Sequence, residues 1–142
     1  MLPSRPVAAV PEEEDAYRSK IVVRGDGLFR SGGSVVKAGD IDLLKRIASA
    51  LDEFPGKVLV TGHTDSDPIR TLKFPSNWHL SVARAKSVLG VLAADSSDSS
   101  RFEAEGRGDK EPLATNKTKA GKALNRRVEV TVLRHAEQVA QP

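Results

Sequence analysis

With 142 residues, 39% of them hydrophobic and 29% charged, the chain is long enough for one globular domain with some tail left over. Its 22 basic and 19 acidic residues leave a net charge of +3, and the basic residues form no stripe interleaved with stacking aromatics, so charge gives no argument for a nucleic-acid partner. There is no cysteine, which excludes disulfides, thiolate chemistry and cysteine-based zinc sites, and an aromatic share of 4% means a core built from Val, Leu, Ile and Ala.

Residues 1–18, MLPSRPVAAVPEEEDAYR, hold three prolines and the acidic run Glu12 to Asp15, with no apolar period. They read as a flexible linker. A strand is expected from about Ser19 to Arg24, followed by a turn through Gly25 and Gly27. Asp40 is placed to cap a helix whose buried face is Ile41, Leu44, Ile47, Ala48 and Leu51, ended by Phe54-Pro55-Gly56. KVLVTGH, residues 57–63, is a short apolar run rich in β-branched residues and fits a buried central strand.

A loop with Pro68 and Pro75 as rigid points follows, and Ser76 or Asn77 can cap the next helix. There Trp78, Val82, Ala85, Leu89 and Leu92 recur at steps of three and four, an amphipathic stripe. DSSDSS, residues 95–100, is a solvated connection; RFEAEG gives a third strand with Phe102 and Ala104 on one face. After a polar loop or short helix, RRVEVTVLR alternates with Val128, Val130 and Val132 inward. Residues 19–134 are therefore expected to form one α+β domain, a mixed sheet with two main helices packed on one face, and residues 135–142 a flexible tail. No run approaches the roughly 18 apolar residues of a membrane span. No signal-peptide pattern appears. Anchoring to a membrane is expected to be specified by a segment outside these residues.

Chemistry concentrates in TGHTDSDPIRTLKFPSNWHLSVARA, residues 61–85. His63, Asp65, Asp67 and His79 are possible metal ligands, but His63 and Asp65 sit two apart near a strand end, His79 lies beyond a long loop, and no helix-paired metal spacing is present. Ser66, Ser76 and Ser81 lack a nucleophile elbow, and Asp65 with Asp67 reads more naturally as turn-forming than as an acid/base couple. A ligand socket needs fewer assumptions. Asp65 stands just past a buried strand end, where a sheet opens on a crevice, and Arg84 lies two turns into the following helix. Two arrangements stay open: a structural Asp65–Arg84 ion pair, or the same two charges held apart to take the ammonium and carboxylate of a zwitterion.

GHTD, NWHLSVARAKSV and GRGDKEPLATNKTKAGKALNRRVEV, in that order, resemble the C-terminal domains of the OmpA-like family, over about residues 20–134. The resemblance implies non-covalent binding of peptidoglycan through the diaminopimelate of its stem peptide, with no catalysis, cofactor or metal. It assigns the binding acid to Asp65 and the binding base to Arg84, with contributions from Thr64, Asn77, Leu80, Asn125, Arg126 and Arg127. Pro68 stands where many members have glycine and is followed by a longer loop, and Lys122 stands where arginine is frequent. LFRSGG, PGKVLVTGHTD, PIRTLKFPSNWHLS and AEGRGD most resemble the periplasmic extension of the TssL (DotU-type) proteins. That branch implies a periplasmic domain of an inner-membrane protein, anchoring a type VI secretion complex to the wall beside other subunits of that complex. The rival expectations are a protein-interaction module with a vestigial wall site, and a wall-peptide hydrolase using His63 and Asp65.

Overall fold

Period-two alternation organises the sheet. Ile21 and Val23, Val58 and Val60, and Val128, Val130 and Val132 all enter one core, while the residues between them point to the other face. The computed structural model describes residues 9–14 and 18–133. Five strands are present among them: β1 (Ala9–Glu14), β2 (Arg18–Arg24), β3 (Lys57–His63), β4 (Phe102–Gly106) and β5 (Arg127–Leu133), ordered β1-β2-β5-β3-β4. β5 pairs antiparallel with β2 and β3, matching Val130 to Ile21 on one side and to Val60 on the other. β3 and β4 run parallel, which requires the crossover that the longest helix supplies.

The helices are α1 (Gly25–Leu28), α2 (Ile41–Leu51), α3 (Asn77–Ala94) and α4 (Lys119–Asn125). Leu44, Ile47, Ala48 and Leu51 of α2 and Ala85, Val88 and Leu92 of α3 complete the core against the valine face of the sheet. The expected α+β layering is thus observed.

Four details differ from the sequence reading. Ala9–Glu14, expected to belong to the linker, form edge strand β1, paired antiparallel with β2 and irregular between Pro11 and Glu14. An edge strand needs backbone pairing on only one side, so a proline and charges there do not prevent it. The remainder of the expected linker below residue 18 (1–8 and 15–17) and the expected tail lie outside the described residues. The glycine turn after β2 is a single helical turn, α1. Asp40 closes a 3-10 turn (Ala38–Asp40) and its side chain makes no capping bond; Leu43 rather than Ile41 is buried on α2.

The α3 stripe is also rotated. Its buried residues are Leu80, Ser81, Arg84, Ala85, Val88 and Leu92, and Trp78 is 54% exposed. The sheet explains the rotation. Gly62 and Gly106 lie side by side in the parallel β3–β4 register, and a Cβ on Gly62 would come 2.1 Å from the Ser81 carbonyl oxygen. Small residues in the sheet therefore admit the helix backbone itself, and Ser81 seats α3 where a larger side chain could not.

Candidate functional site

Where β3 ends, the chain turns away from the sheet and carries Thr64 and Asp65 to the mouth of a cavity of about 690 Å³. One wall is the segment after β2, contributing Asp26, Phe29, Arg30 and Lys37; the opposite wall is the start of α3, contributing Asn77, Leu80 and Arg84. Asp67, Pro68 and Ile69 border it from the loop after β3, and Arg126 closes it from the α4–β5 junction. Four cations (Arg30, Lys37, Arg84, Arg126) and three carboxylates (Asp26, Asp65, Asp67) line it. The cavity is thus built for charge.

Arg84 is only 5% exposed. Its Nε donates to the Gly33 carbonyl at 2.7 Å and its Nη2 to the Arg30 carbonyl at 3.4 Å, and the guanidinium lies 4.8 Å from the centre of the Phe29 ring. No ion pair joins it to a carboxylate among the described residues. Burial pushes its pKa down, a pull that the more distant charges of Asp26 and Asp65 only oppose. A buried guanidinium without a carboxylate partner, in a cavity open to solvent, has the chemistry to accept an anion.

Asp65 is engaged differently. Its Oδ1 accepts from the Asp67 backbone N–H at 3.0 Å, a local turn bond, and its Oδ2 accepts from Arg126 Nη1 at 2.5 Å. The structural Asp65–Arg84 pair left open by the sequence is therefore not the one formed; both side chains line one cavity while Arg126 holds the acid. Arg126 also grips Asp26 with a two-pronged fork, Nε to Oδ1 and Nη2 to Oδ2, both at 2.8 Å. Hydrogen bonding from Arg126 holds the Asp26 carboxyl below the usual carboxylate range against the effect of burial, and raises Arg126 in return. Lys122 Nζ reaches Asp67 Oδ1 at 3.0 Å. The acidic half of the cavity is thus neutralised from within, by cations of α4 and its C-terminal end.

Thr64 donates its backbone N–H to the Gly108 carbonyl and its hydroxyl to the Asp65 carbonyl, both at 2.8 Å. Asn77 Nδ2 donates to the Asp67 carbonyl at 3.0 Å, tying the loop to the start of α3. Leu80 is buried and supplies an apolar part of the lining. Of the eight residues expected at the site, these three join Asp65, Arg84 and Arg126 around the cavity.

Asn125 and Arg127, expected beside them, do not line the cavity. Asn125 is fully buried, accepting from the N–H groups of Leu113 and Ala114 at 2.7 and 2.9 Å and donating to the Ala114 carbonyl and Asn116 Oδ1. It clasps the loop before α4. Arg127 belongs to the sheet face opposite the core, where its Nε donates to Glu129 Oε2 at 2.8 Å and its Nη2 to the Glu111 carbonyl at 2.9 Å. The NRR block marked the right turn of chain, but strand alternation sends only Arg126 toward the cavity. Asp26, conversely, was missed. Nothing in GDG distinguishes an acid that will meet a partner 100 positions later.

The metal and hydrolase candidates disperse. His63 is buried on the far sheet face, its Nε2 3.3 Å from Glu129 Oε1, and it does not line the cavity. His79 is exposed at the start of α3, with Nδ1 2.7 Å from Ser76 Oγ, the N-cap hydroxyl that also accepts the His79 N–H. Among the described residues, no three His, Asp or Glu side chains gather to hold a metal.

Comparison with known proteins bears on this geometry. The OmpA family model matches residues 28–126. The cell wall anchor of the type VI secretion system from Pseudomonas aeruginosa superposes with a TM-score of 0.85 at 49% identity, over 90% of this chain and 89% of that one. Motility protein B of Bacillus subtilis is 40% identical over 115 residues, 80% of this chain and 44% of its own length. The peptidoglycan-binding protein ArfA of Mycobacterium bovis is 31% identical over 131 residues, 92% of this chain and 39% of its own length. This chain thus spans less than half of either of these curated relatives. Among its described residues no helix is long and apolar enough to cross a membrane.

Proposed function

The chain belongs to the OmpA family, and from that premise we propose that its cavity binds peptidoglycan through the diaminopimelate of the stem peptide. The observation that carries the reading is Arg84, a buried guanidinium held by two backbone carbonyls and given no carboxylate of its own. Diaminopimelate keeps a free amine and a free carboxylate on its far stereocentre. Arg84 would clamp the carboxylate through its remaining N–H groups, and Asp65 would accept the ammonium. Thr64, Asn77 and Leu80 would shape the rim, with Arg126 as the counter-cation of Asp65. Binding is at equilibrium, with no bond made or broken.

Each charge-assisted contact contributes roughly 1.5–3 kcal/mol net, so one site is weak. A polymeric wall offsets this with many sites at high local concentration. Similarity to a protein described as the cell wall anchor of a type VI secretion system supports extending the proposal. The domain would sit in the periplasm, joined to an inner-membrane protein, and fix the secretion complex to the sacculus beside its other subunits.

Sedimentation with purified diaminopimelate-type sacculi tests this. Wild type is expected in the pellet, and Arg84→Ala and Asp65→Ala in the supernatant with their folds intact by circular dichroism. Equal pelleting of all three would overturn the site. The pairing of Asp65 with Arg126 favours a second reading, a protein-interaction module with a silent socket. That reading requires wild type itself to stay in the supernatant.

A further inference from the structure

We infer that Asp26 is a positioning residue of the socket, whose fork with Arg126 holds that guanidinium aside so that Asp65 can exchange it for the ammonium of the ligand; the inference rests on the socket reading above. Arg126 makes three bonds to cavity carboxylates, two to Asp26 and one to Asp65. An ammonium arriving at Asp65 would replace only the single Nη1 bond. The two-pronged fork on Asp26 would remain, so Arg126 would keep its counter-ion throughout the exchange. Without Asp26, the same guanidinium would turn its fork onto Asp65, whose Oδ1 is already occupied by the Asp67 N–H. The ammonium would then meet a carboxylate fully satisfied by a guanidinium.

The backbone is arranged to hold this pair. Gly25 N–H donates to the Arg126 carbonyl at 2.7 Å, and a Cβ on Gly25 would also come 2.7 Å from that oxygen. Only glycine lets the α1 turn approach the α4–β5 junction this closely, and that approach brings Asp26 and Arg126 face to face. Lys37 Nζ donates to the Asp26 carbonyl at 3.1 Å and fixes the turn from the other side. The remaining charges near the pair are Arg84, which has its own carbonyl partners, and Arg24. Neither takes the place of Asp26 as a partner for Arg126.

The test is calorimetric titration of the 142-residue chain with meso-diaminopimelic acid, on wild type, Asp26→Asn, Arg126→Gln and the double variant, with folding checked by urea midpoints. Asp26 has a side chain 52% exposed, and its isosteric amide is expected to fold normally. Asp26→Asn should weaken binding roughly tenfold or more, and adding Arg126→Gln should bring affinity back to within about threefold of Arg126→Gln alone. A structural defect or a direct ligand contact at Asp26 would leave the double variant as weak as Asp26→Asn. That result would overturn the inference, as would unchanged binding by Asp26→Asn. If wild type binds neither this ligand nor sacculi, the socket reading falls and takes the inference with it.

Discussion

Gly62→Ala places one methyl group where the sheet meets α3. The new Cβ would lie 2.1 Å from the Ser81 carbonyl oxygen, 2.9 Å from its carbon and 3.2 Å from its Cα. Non-bonded heavy atoms settle at about 3.5 Å, so the helix has to rise by roughly 1 Å. Neither side can give by rotating: one is the middle of a strand and the other is helix backbone. Overpacking typically costs about 1–3 kcal/mol, and a clash between backbones belongs at the upper end. For a domain of this size that lowers Tm by roughly 10 °C. The same rise would draw Arg84 off the Gly33 carbonyl it now meets at 2.7 Å and shift Asn77 and Leu80 with it, so pelleting with sacculi should fall as well. Gly90→Ala is the control. It lies on the same helix with nothing within 4 Å of its Cβ, and should be neutral or stabilising by about 1 kcal/mol. Urea and thermal unfolding of the two variants decide the matter. A Gly62→Ala domain within about 0.5 kcal/mol of wild type would refute the packing argument.

Three further outcomes are expected. Burial alone would raise the Glu129 carboxyl, but the His63 and Arg127 side chains beside it hold it at about 2 against an ordinary 4.5. A depressed acid stabilises fully above pH 4.5 and loses that contribution as pH falls through 2, here about 3 kcal/mol; urea midpoints of Glu129→Gln should therefore fall less over that range than those of wild type. Asn125→Ala removes four hydrogen bonds that clasp the loop before α4 and should cost about 2–4 kcal/mol, measured by urea unfolding, with wall binding retained wherever the domain remains folded. Lysine-type sacculi, whose stem peptides offer the amine without the carboxylate, should pellet little of the protein; equal pelleting with both wall types would contradict the role given to Arg84.

The sheet was legible wherever a strand buries one face, because alternation is imposed by that burial. Val128, Val130 and Val132 announce β5, and Phe102 with Ala104 announce β4. β1 was illegible for the same reason. Pro11 and Glu12 to Glu14 carry no such alternation, and the pairing of β1 with β2 is made by backbone groups that composition does not encode. The rotation of α3 shows the limit of apolar spacing. Hydrophobic counting places Trp78 inward, whereas the helix is seated by what the sheet lacks, two side chains at Gly62 and Gly106. Asp65 and Arg84 stood out because they flank one strand–loop–helix unit and sit in distinctive blocks. Asp26 did not, since its role exists only once α1 and the α4–β5 junction are brought together.

That junction gives the cavity an asymmetry which bears on how an anchor of this kind would behave. Arg126 and Lys122 neutralise all three cavity carboxylates, while Arg84 is left to backbone carbonyls and an aromatic face. In the proposed mode a ligand carboxylate would meet a cation with no carboxylate partner, but a ligand ammonium would have to displace one cation by another. The gain on the acid side is therefore smaller than that on the base side, and in the proposed mode Arg84 would supply the larger share of the affinity while the exchange at Asp65 would add to it and select for a zwitterion. An isolated contact of that kind dissociates readily. Many such contacts along a polymer would hold a complex in place while letting each socket release and rebind.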